Sequence, residues 1–495
     1  MKNKKILKPK FLLVSSLIAL TQLHTITAQA VELSESDMSR KPVMYQSPGQ
    51  VTELCVAAAK LPMGNYSQDD VEDESELCSI DFYNNSVALC PKTWSTSPGT
   101  IINELDKASS RDSADAESRQ CEKGGPLHSV AKFKQTMNQV DTSGTFSLSS
   151  ILYYHFSRAL DAVVNVPVAV YRSMDKAAHY ERVTSKAHPS TKAKMNFAGW
   201  QHIKEAETKD GYNQALDILT KDRKQIYGVL LNDKGSRYGV EINGTRESGW
   251  GKGQNLDFQN TPAYMALRSA KPLDEAITEG YNLAIKNPKI KAGFLARPSK
   301  LQMKLWINEL AEIAILDHIF SQQDRIGNID YVWYWVYPSE GGFKYKKVDK
   351  KYKDVSLLKK SSIPVPAELK DVSGLELVQK TSIGDNDAGG LRNYANFSKQ
   401  TNMVGSIRHM RQELYDQIQL LAKDFQVKGE NYQVLKKESD DVEAFHDVGG
   451  KRFLQMISNT LEVADLLKKN KDSGLLKLNS MTFEASGKTV KAATE

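Results

Sequence analysis

The sequence predicts an α+β chain in two lobes: a strand-rich half, stapled near its N-terminus by disulfides, and then a mainly helical half. Three observations carry this expectation. All four cysteines, Cys55, Cys78, Cys90 and Cys121, fall in one early stretch. Residues 129–232 alternate between strand-like and helix-like patterns. Beyond Pro262 the apolar spacing becomes helical. The chain has 495 residues, 40% apolar and 25% charged. That is enough for two or three packed units, and it excludes wholesale disorder and fibrous repeats.

Residues 1–30 read as an export signal. Lys2, Lys4, Lys5, Lys8 and Lys10 precede the apolar run Phe11–Leu20, and Ala28-Gln29-Ala30 supplies a small-residue cleavage site. The run is too short to span a bilayer, and no later run is long enough, so the processed chain is expected to lack a transmembrane segment. Periplasmic or secreted localisation follows. The net charge of +6 comes largely from this signal, since without its five lysines the balance is 61 basic to 60 acidic residues. A near-neutral processed chain excludes general nucleic-acid binding.

Residues 31–125 read as a loop-rich, disulfide-containing region. An even number of cysteines in an exported chain implies two disulfides, with three pairings open. There is no C-x-x-C pair, which argues against zinc. The acidic run Asp69–Glu76 reads as a solvated loop, since it lacks the alternating ligands and turn glycine of a calcium loop. Ser86–Cys90 reads as a strand. The turn Thr93–Thr100 is small and hydroxyl-rich, the kind whose backbone N–H groups can cradle phosphate, although such sequences are commonly plain turns.

Residues 126–232 form the expected strand-rich lobe. Ser129–Lys134 alternates like a strand, Leu148–Leu160 reads as a helix, and Val166–Tyr171 and Ile226–Leu231 read as strands. Asn232–Gly235 reads as a turn into a further strand, Arg237–Ile242. Residues 233–495 form the helical lobe. Leu305–Phe320 is apolar on almost every side and predicts a buried helix. Ile407, Met410, Leu414, Ile418, Leu421 and Phe425 are spaced for an amphipathic helix.

Two segments carry candidate chemistry. Gln322–Asn328 is a charged loop between the buried helix and the strand-like Ile329–Trp335, a setting that holds a carboxylate rigidly. Ser382–Gly390 contains Asp385 and Asp387 beside glycines at a strand end, where carboxylate oxygens can hold a hard cation.

Leu316–Phe320 through Asp324-Arg325-x-Gly327-Asn328 resembles the catalytic loop of atypical kinases, which typically reads N-x-D-R-H-x-x-N. That superfamily includes the phosphoinositide kinases, the Golgi casein kinase family of the secretory pathway and the spore-coat kinases. Asp385-Asn386-Asp387 resembles their metal-binding segment. Ala131–Lys134 is similar to their nucleotide-lysine strand, and Ile151–Leu160 with Asn165-Val166-Pro167 to their helix–strand unit. The resemblance spans residues 129–425 in outline and rests on four short segments.

It implies a two-lobed kinase-like fold and transfer of the ATP γ-phosphate to a hydroxyl of a protein, glycan or lipid, with Mg or Mn. Lys134 would contact the phosphates, and Leu230 and Leu231 would lie on the hinge under adenine. Asp324 would orient or deprotonate the acceptor, with Arg325 bracing the loop. Asn328 and Asp385 would hold metal, Asp387 being the alternative ligand.

The sequence also departs from the family. The Asp324–Asn328 spacing is one residue short, and Ile326 stands where the family has histidine. The helix glutamate that pairs with the lysine falls at Ser150, so Lys134 needs another carboxylate. A nucleotide-binding pseudokinase, an AMP-transferring enzyme and a non-enzymatic periplasmic binding protein are therefore the alternatives. Lys344, Lys346, Lys347, Lys350, Lys351, Lys353, Lys359 and Lys360 crowd an expected insertion at 336–380. The patch reads as a solvated face, or as a docking site for an acidic substrate or anionic surface.

Overall fold

The computed structural model describes residues 42–105, 112–121, 127–232, 235–290, 299–339, 342–352, 355, 357–389, 395–445, 450–480 and 489–490. The expected signal peptide and Lys353 lie outside the described residues.

The chain is α+β. Its first half is built on an antiparallel sheet with strand order β1-β2-β7-β8-β6-β5-β4. The strands are β1 Val43–Gln46, β2 Thr52–Val56, β4 Val87–Pro91, β5 Thr100–Glu104, β6 His128–Gln135, β7 Ala169–Asp175 and β8 Gln225–Leu231. A short β3, Tyr66–Ser67, lies apart from it. Strand β6 alternates as its sequence dictates. Phe133 is fully buried and packs edge-on against Phe82, while Lys134, one position on, points to the other face. Gly228 lets β8 approach β6, because a Cβ there would lie 2.0 Å from the Lys134 carbonyl oxygen.

The stretch read as loop-rich supplies four of these strands, β1, β2, β4 and β5. Two disulfides, Cys55–Cys78 and Cys90–Cys121, tie them to the helices beside them. The acidic run is not a loop. It forms the helix Gln68–Cys78, started by a reciprocal cap between Ser67 and Asp70. Two of its acids turn inward: Asp70 pairs with Arg158 at 2.7 Å, and Glu74 accepts from Tyr154 at 2.8 Å. Neutralised pairs of this kind let an acidic sequence pack.

The helix Ser147–Ala159 lies against the sheet, with Leu148 and Ile151 packed on Val229, Leu231 and Tyr171. The next strand begins at Ala169 rather than Val166. Asn165 is instead bound into the second half, donating to the Thr381 carbonyl and accepting from Ile383 N–H.

A second sheet has the order β11-β10-β12, with β9 (Ser236–Arg237) pairing on β10. Its strands are β10 Ile329–Ser339, β11 Gly342–Lys347 and β12 Glu376–Ile383. The expected strand Arg237–Ile242 is therefore only two residues long. Its continuation turns into the short helix Val240–Asn243, because Tyr238 is drawn into the core beside Trp306. Exposed lysines 344, 346 and 347 lie on β11, at the edge of this sheet, where charge discourages further strand pairing.

The helix Lys300–Phe320 runs through the centre and is buried along almost its whole length, as its sequence predicts. Each fully buried Leu or Ile contributes about 1.5–3 kcal/mol. Its buried acids are satisfied: Glu309 accepts from Thr381 N–H, and Glu312 accepts from Val164 N–H and from Arg411. The amphipathic helix begins later than its spacing suggests, at Gln412–Val427. Met410 belongs to a short strand, His409–Arg411, and Ile407 precedes it. Helices Glu430–Phe445 and Gly450–Asp472 follow. The first of these binds back to the N-terminal half, Glu438 accepting from Ala59 N–H and Asn431 from Met63 N–H. Among the described residues, no helix is long and apolar enough to cross a membrane.

Candidate functional site

The register of the second sheet builds the site. Ile329, the first residue of β10, pairs with Ile383, the last of β12. The loop before β10 and the turn after β12 must therefore lie side by side, although 61 residues separate Asp324 from Asp385 in sequence. Asp385 holds a left-handed conformation, φ 49°, which bends the turn back toward the first sheet.

Lys134 meets this turn. Its Nζ donates to Asp385 Oδ1 at 2.7 Å and to Asp387 Oδ1 at 2.8 Å. Burial works against the charged lysine, but the two carboxylates outweigh it and raise its pKa. Lys134 in turn holds the Asp385 carboxyl well below its usual range, against the effect of burial. The carboxylate absent from the helix at Ser150 is thus supplied from the turn. Ser150 itself is buried, and its hydroxyl has no partner. The helix still touches the site, since Ser147 Oγ donates to the Lys134 carbonyl and Phe146 N–H donates to that of Asp387.

Arg325 braces the loop and turn together. It donates to Asp317, to the Gly384 carbonyl at 2.8 Å and to Asn386 Oδ1 at 2.7 Å. Asp317 also accepts from Tyr153, which links the helix Ser147–Ala159 to the loop. Gln322 adds a bond to the Asp385 carbonyl.

Asp324 is half-buried. Burial raises its pKa, Arg246 opposes the rise, and the negative charge of Asp385 adds to it. Asn328 faces Asp324 rather than the Asp385 turn, donating to the Asp324 backbone carbonyl at 2.6 Å and to its carboxylate at 3.2 Å. The shortened loop has this consequence: Gly327, at φ 85°, turns the chain back before Asn328 can extend. Asp330, the residue considered in its place, lies on β10 within reach of Arg237.

Leu230 and Leu231 differ from expectation. They lie on β8, paired with β6 on one side and β7 on the other, so their backbone is committed to the sheet. Both side chains are buried. The first position beyond the strand is Asn232, whose buried Oδ1 has no hydrogen-bond partner.

The hydroxyl-rich turn covers Lys134. Lys92 N–H donates to the Gly99 carbonyl to close it, and a Cβ on Gly99 would lie 3.3 Å from the Phe133 carbonyl oxygen and 3.7 Å from Lys134 Cγ. Lys92 faces the same charges. Burial lowers its pKa to about 8, with Asp385 opposing and Lys134 and Lys132 adding to the fall. Sequence reasoning missed Lys92, Arg246 and Gln322. The basic residue opening a hydroxyl-rich turn was the available signal for Lys92; nothing in the sequence marked Arg246.

No family model matches the sequence, and no curated protein matches it. Among solved structures, the chain is similar to one described as the crystal structure of the golgi casein kinase. The identity is 11%, 96% of each chain is covered, and the TM-score is 0.37, a loose likeness that does not by itself assign a family.

Proposed function

We propose that the protein is a phosphotransferase that moves the γ-phosphate of ATP to a hydroxyl, in an exported setting. The observation that carries this reading is the convergence of Lys134, Asp385 and Asp387 under a hydroxyl-rich turn, beside the Asp324 loop. Phosphoryl transfer requires positioning and charge neutralisation more than covalent help from the protein. A lysine on the strand after a covering hairpin, a carboxylate turn and a loop aspartate supply those parts.

In this reading Lys134 and Lys92 hold the phosphates. Asp324 accepts the proton of the acceptor hydroxyl as its oxygen attacks the γ-phosphorus, and the bond to the ADP oxygen breaks. Burial favours a carboxylate whose proton affinity is raised for that task. The carboxylates suit a hard divalent cation. Asp387 Oδ2 is buried without a hydrogen-bond partner, and Mg or Mn commonly takes one or two carboxylates plus phosphate oxygens. Among the described residues no group of three or more His, Cys, Asp or Glu side chains could hold a metal unaided, which agrees with a cation that arrives with the nucleotide. Asp385 and Asp387 would hold it, and it would neutralise charge on the phosphates. The two disulfides support an oxidising compartment.

A second reading, a nucleotide-binding pseudokinase, is favoured by the Asn328 side chain, which is engaged with Asp324 instead of the Asp385 turn. Incubation with ATP labelled at the γ or α phosphate, with Mg or Mn, separates the readings. Incorporated γ label supports the kinase and α label supports AMP transfer. Thermal stabilisation by ATP without either label supports the pseudokinase. No stabilisation and no label would leave a non-enzymatic binding protein. The acceptor, whether protein, glycan or lipid, is to be found by the same labelling.

A further inference from the structure

The turn over Lys134 is held from outside as well as from within. Between β7 and β8 the chain leaves the sheet for residues 176–224, and this excursion carries the helix Lys194–Thr208. Its buried face presents Asn196, Gly199 and Trp200, and all three meet the turn. Asn196 Nδ2 and Trp200 Nε1 both donate to the Lys92 carbonyl, at 3.4 and 3.3 Å. Gly199 lies under Pro98 so closely that a Cβ would be 2.6 Å from the proline Cγ.

The far end of the turn is held by a buried relay. Thr100 Oγ1 and His179 Nε2 are 3.1 Å apart, and His179 Nδ1 is 2.5 Å from Glu207 Oε1 on the same helix. Thr184 Oγ1 also lies 3.2 Å from His179 Nδ1. Thr100, His179, Asn196 and Trp200 are each at most 2% exposed. Polar groups so deeply buried resist separation, because a donor or acceptor left unpaired there loses its solvation without compensation.

We propose that the Lys194–Thr208 helix is a fixed brace that presets the β4–β5 turn for phosphate, and that His179, Asn196 and Trp200 are positioning residues for nucleotide binding. The inference rests on the nucleotide reading above. A hydroxyl-rich turn carried only by its two strands would have to be ordered by its ligand, at an entropic cost. A turn clamped at Lys92, Pro98 and Thr100 is ordered beforehand, so more of the interaction energy appears as affinity. None of the braced residues touches the phosphates in this account. They act through the position of Lys92 and the turn backbone.

The test uses the full chain with four variants. Thr100→Val removes the hydroxyl with little change of shape, Thr100→Ser restores it, and Trp200→Phe removes the indole donor. Val463→Ala, in the buried C-terminal helix, is a control that lowers stability away from the turn. Affinity for ATP with Mg is measured by calorimetry, and tryptic cleavage after Lys92 of the native protein is followed by mass spectrometry. Thr100→Val and Trp200→Phe are expected to weaken ATP binding by about tenfold, on the scale of one buried hydrogen bond. They should also open Lys92 to trypsin, while Thr100→Ser stays near the wild type. A loss of affinity no greater than that of Val463→Ala at matched melting temperature overturns the proposal. So does a wild type already cut rapidly after Lys92. A wild type that binds no ATP overturns the nucleotide reading and the phosphate role together, and cleavage after Lys92 alone then decides whether the helix is a brace.

Discussion

The two aspartate centres of the cleft are built by different means. Asp385 and Asp387 share one buried lysine and are held by charge, so their carboxylates and Lys134 depend on one another. Asp324 is held by its loop: Asn328 donates to its backbone and carboxylate, Arg246 donates to the Ile326 carbonyl, and Arg325 anchors the segment to Asp317. The environments push the two centres apart, Asp385 toward a permanent negative charge and Asp324 toward protonation. Groups separated in this way suit different tasks, one neutralising phosphate charge and the other exchanging a proton. The first centre serves the fold and the ligand at once. The second can change with little cost to the fold.

The largest effect is expected at the shared lysine. Lys134→Met leaves two buried carboxylates without their counter-charge, and breaking a buried pair costs about 3–5 kcal/mol. The variant should melt well below the wild type in a thermal scan and show no stabilisation by ATP. An unchanged melting temperature would mean that the pairing of Lys134 with the aspartates is not part of the fold.

Asp324→Asn tests the other side of the comparison. Transfer of γ label should fall by about 10²–10⁴-fold, the usual contribution of a general base. The melting temperature and its shift with ATP should stay close to the wild type. If both are lost, the loop is as dependent on charge as the turn, and the contrast between the centres fails.

Lys92 sharpens the comparison through pH. Its pKa of about 8 makes it positive at pH 7 and largely neutral at pH 9. Affinity for ATP should therefore weaken as pH rises across that range, and Lys92→Met should flatten the profile. Stability should move the other way. A folded pKa near 8 against 10.5 in the unfolded chain means that the unfolded state binds more protons between those values, so this group adds stability as pH rises. A titration in which affinity and stability fall together would exclude Lys92 as the source.

The smallest effect is expected at Ser150. Its buried hydroxyl has no partner, so Ser150→Ala removes an uncompensated polar group. Stability by chemical denaturation and ATP affinity should stay within about 0.5 kcal/mol of the wild type, or improve slightly. A large loss would mean that Ser150, and not Asp387, does the work of the missing helix carboxylate.

Much of the fold was legible where the pattern is local. The strands around residues 87–91, 128–135, 225–231 and 376–383 and the central helix follow from alternation or an all-round apolar run. The misreadings share one cause. Asp69–Glu76 looked like solvated loop because its acids are neutralised by Arg158, Tyr154 and Lys60, far away in sequence. Arg237–Ile242 looked like a strand because its alternation is real, but Tyr238 is claimed by the core around Trp306. Met410 fits the spacing of the helix that follows it, yet it pairs with Leu478 in a two-stranded ladder.

By itself, the sequence determined that the chain carries four early cysteines, alternating strands, a buried helix and two aspartate-bearing segments at strand and helix ends. These follow from composition and short-range period, which each residue expresses with its near neighbours. Only the tertiary structure decided which cysteines pair, that β10 and β12 bring Asp324 beside Asp385, that Lys134 takes both aspartates, and that a distant helix clamps the turn above it. Those outcomes depend on sheet register and on charges meeting across hundreds of residues in a low-dielectric interior, where an unpaired group is too costly to leave. No local pattern records which partner will be found there.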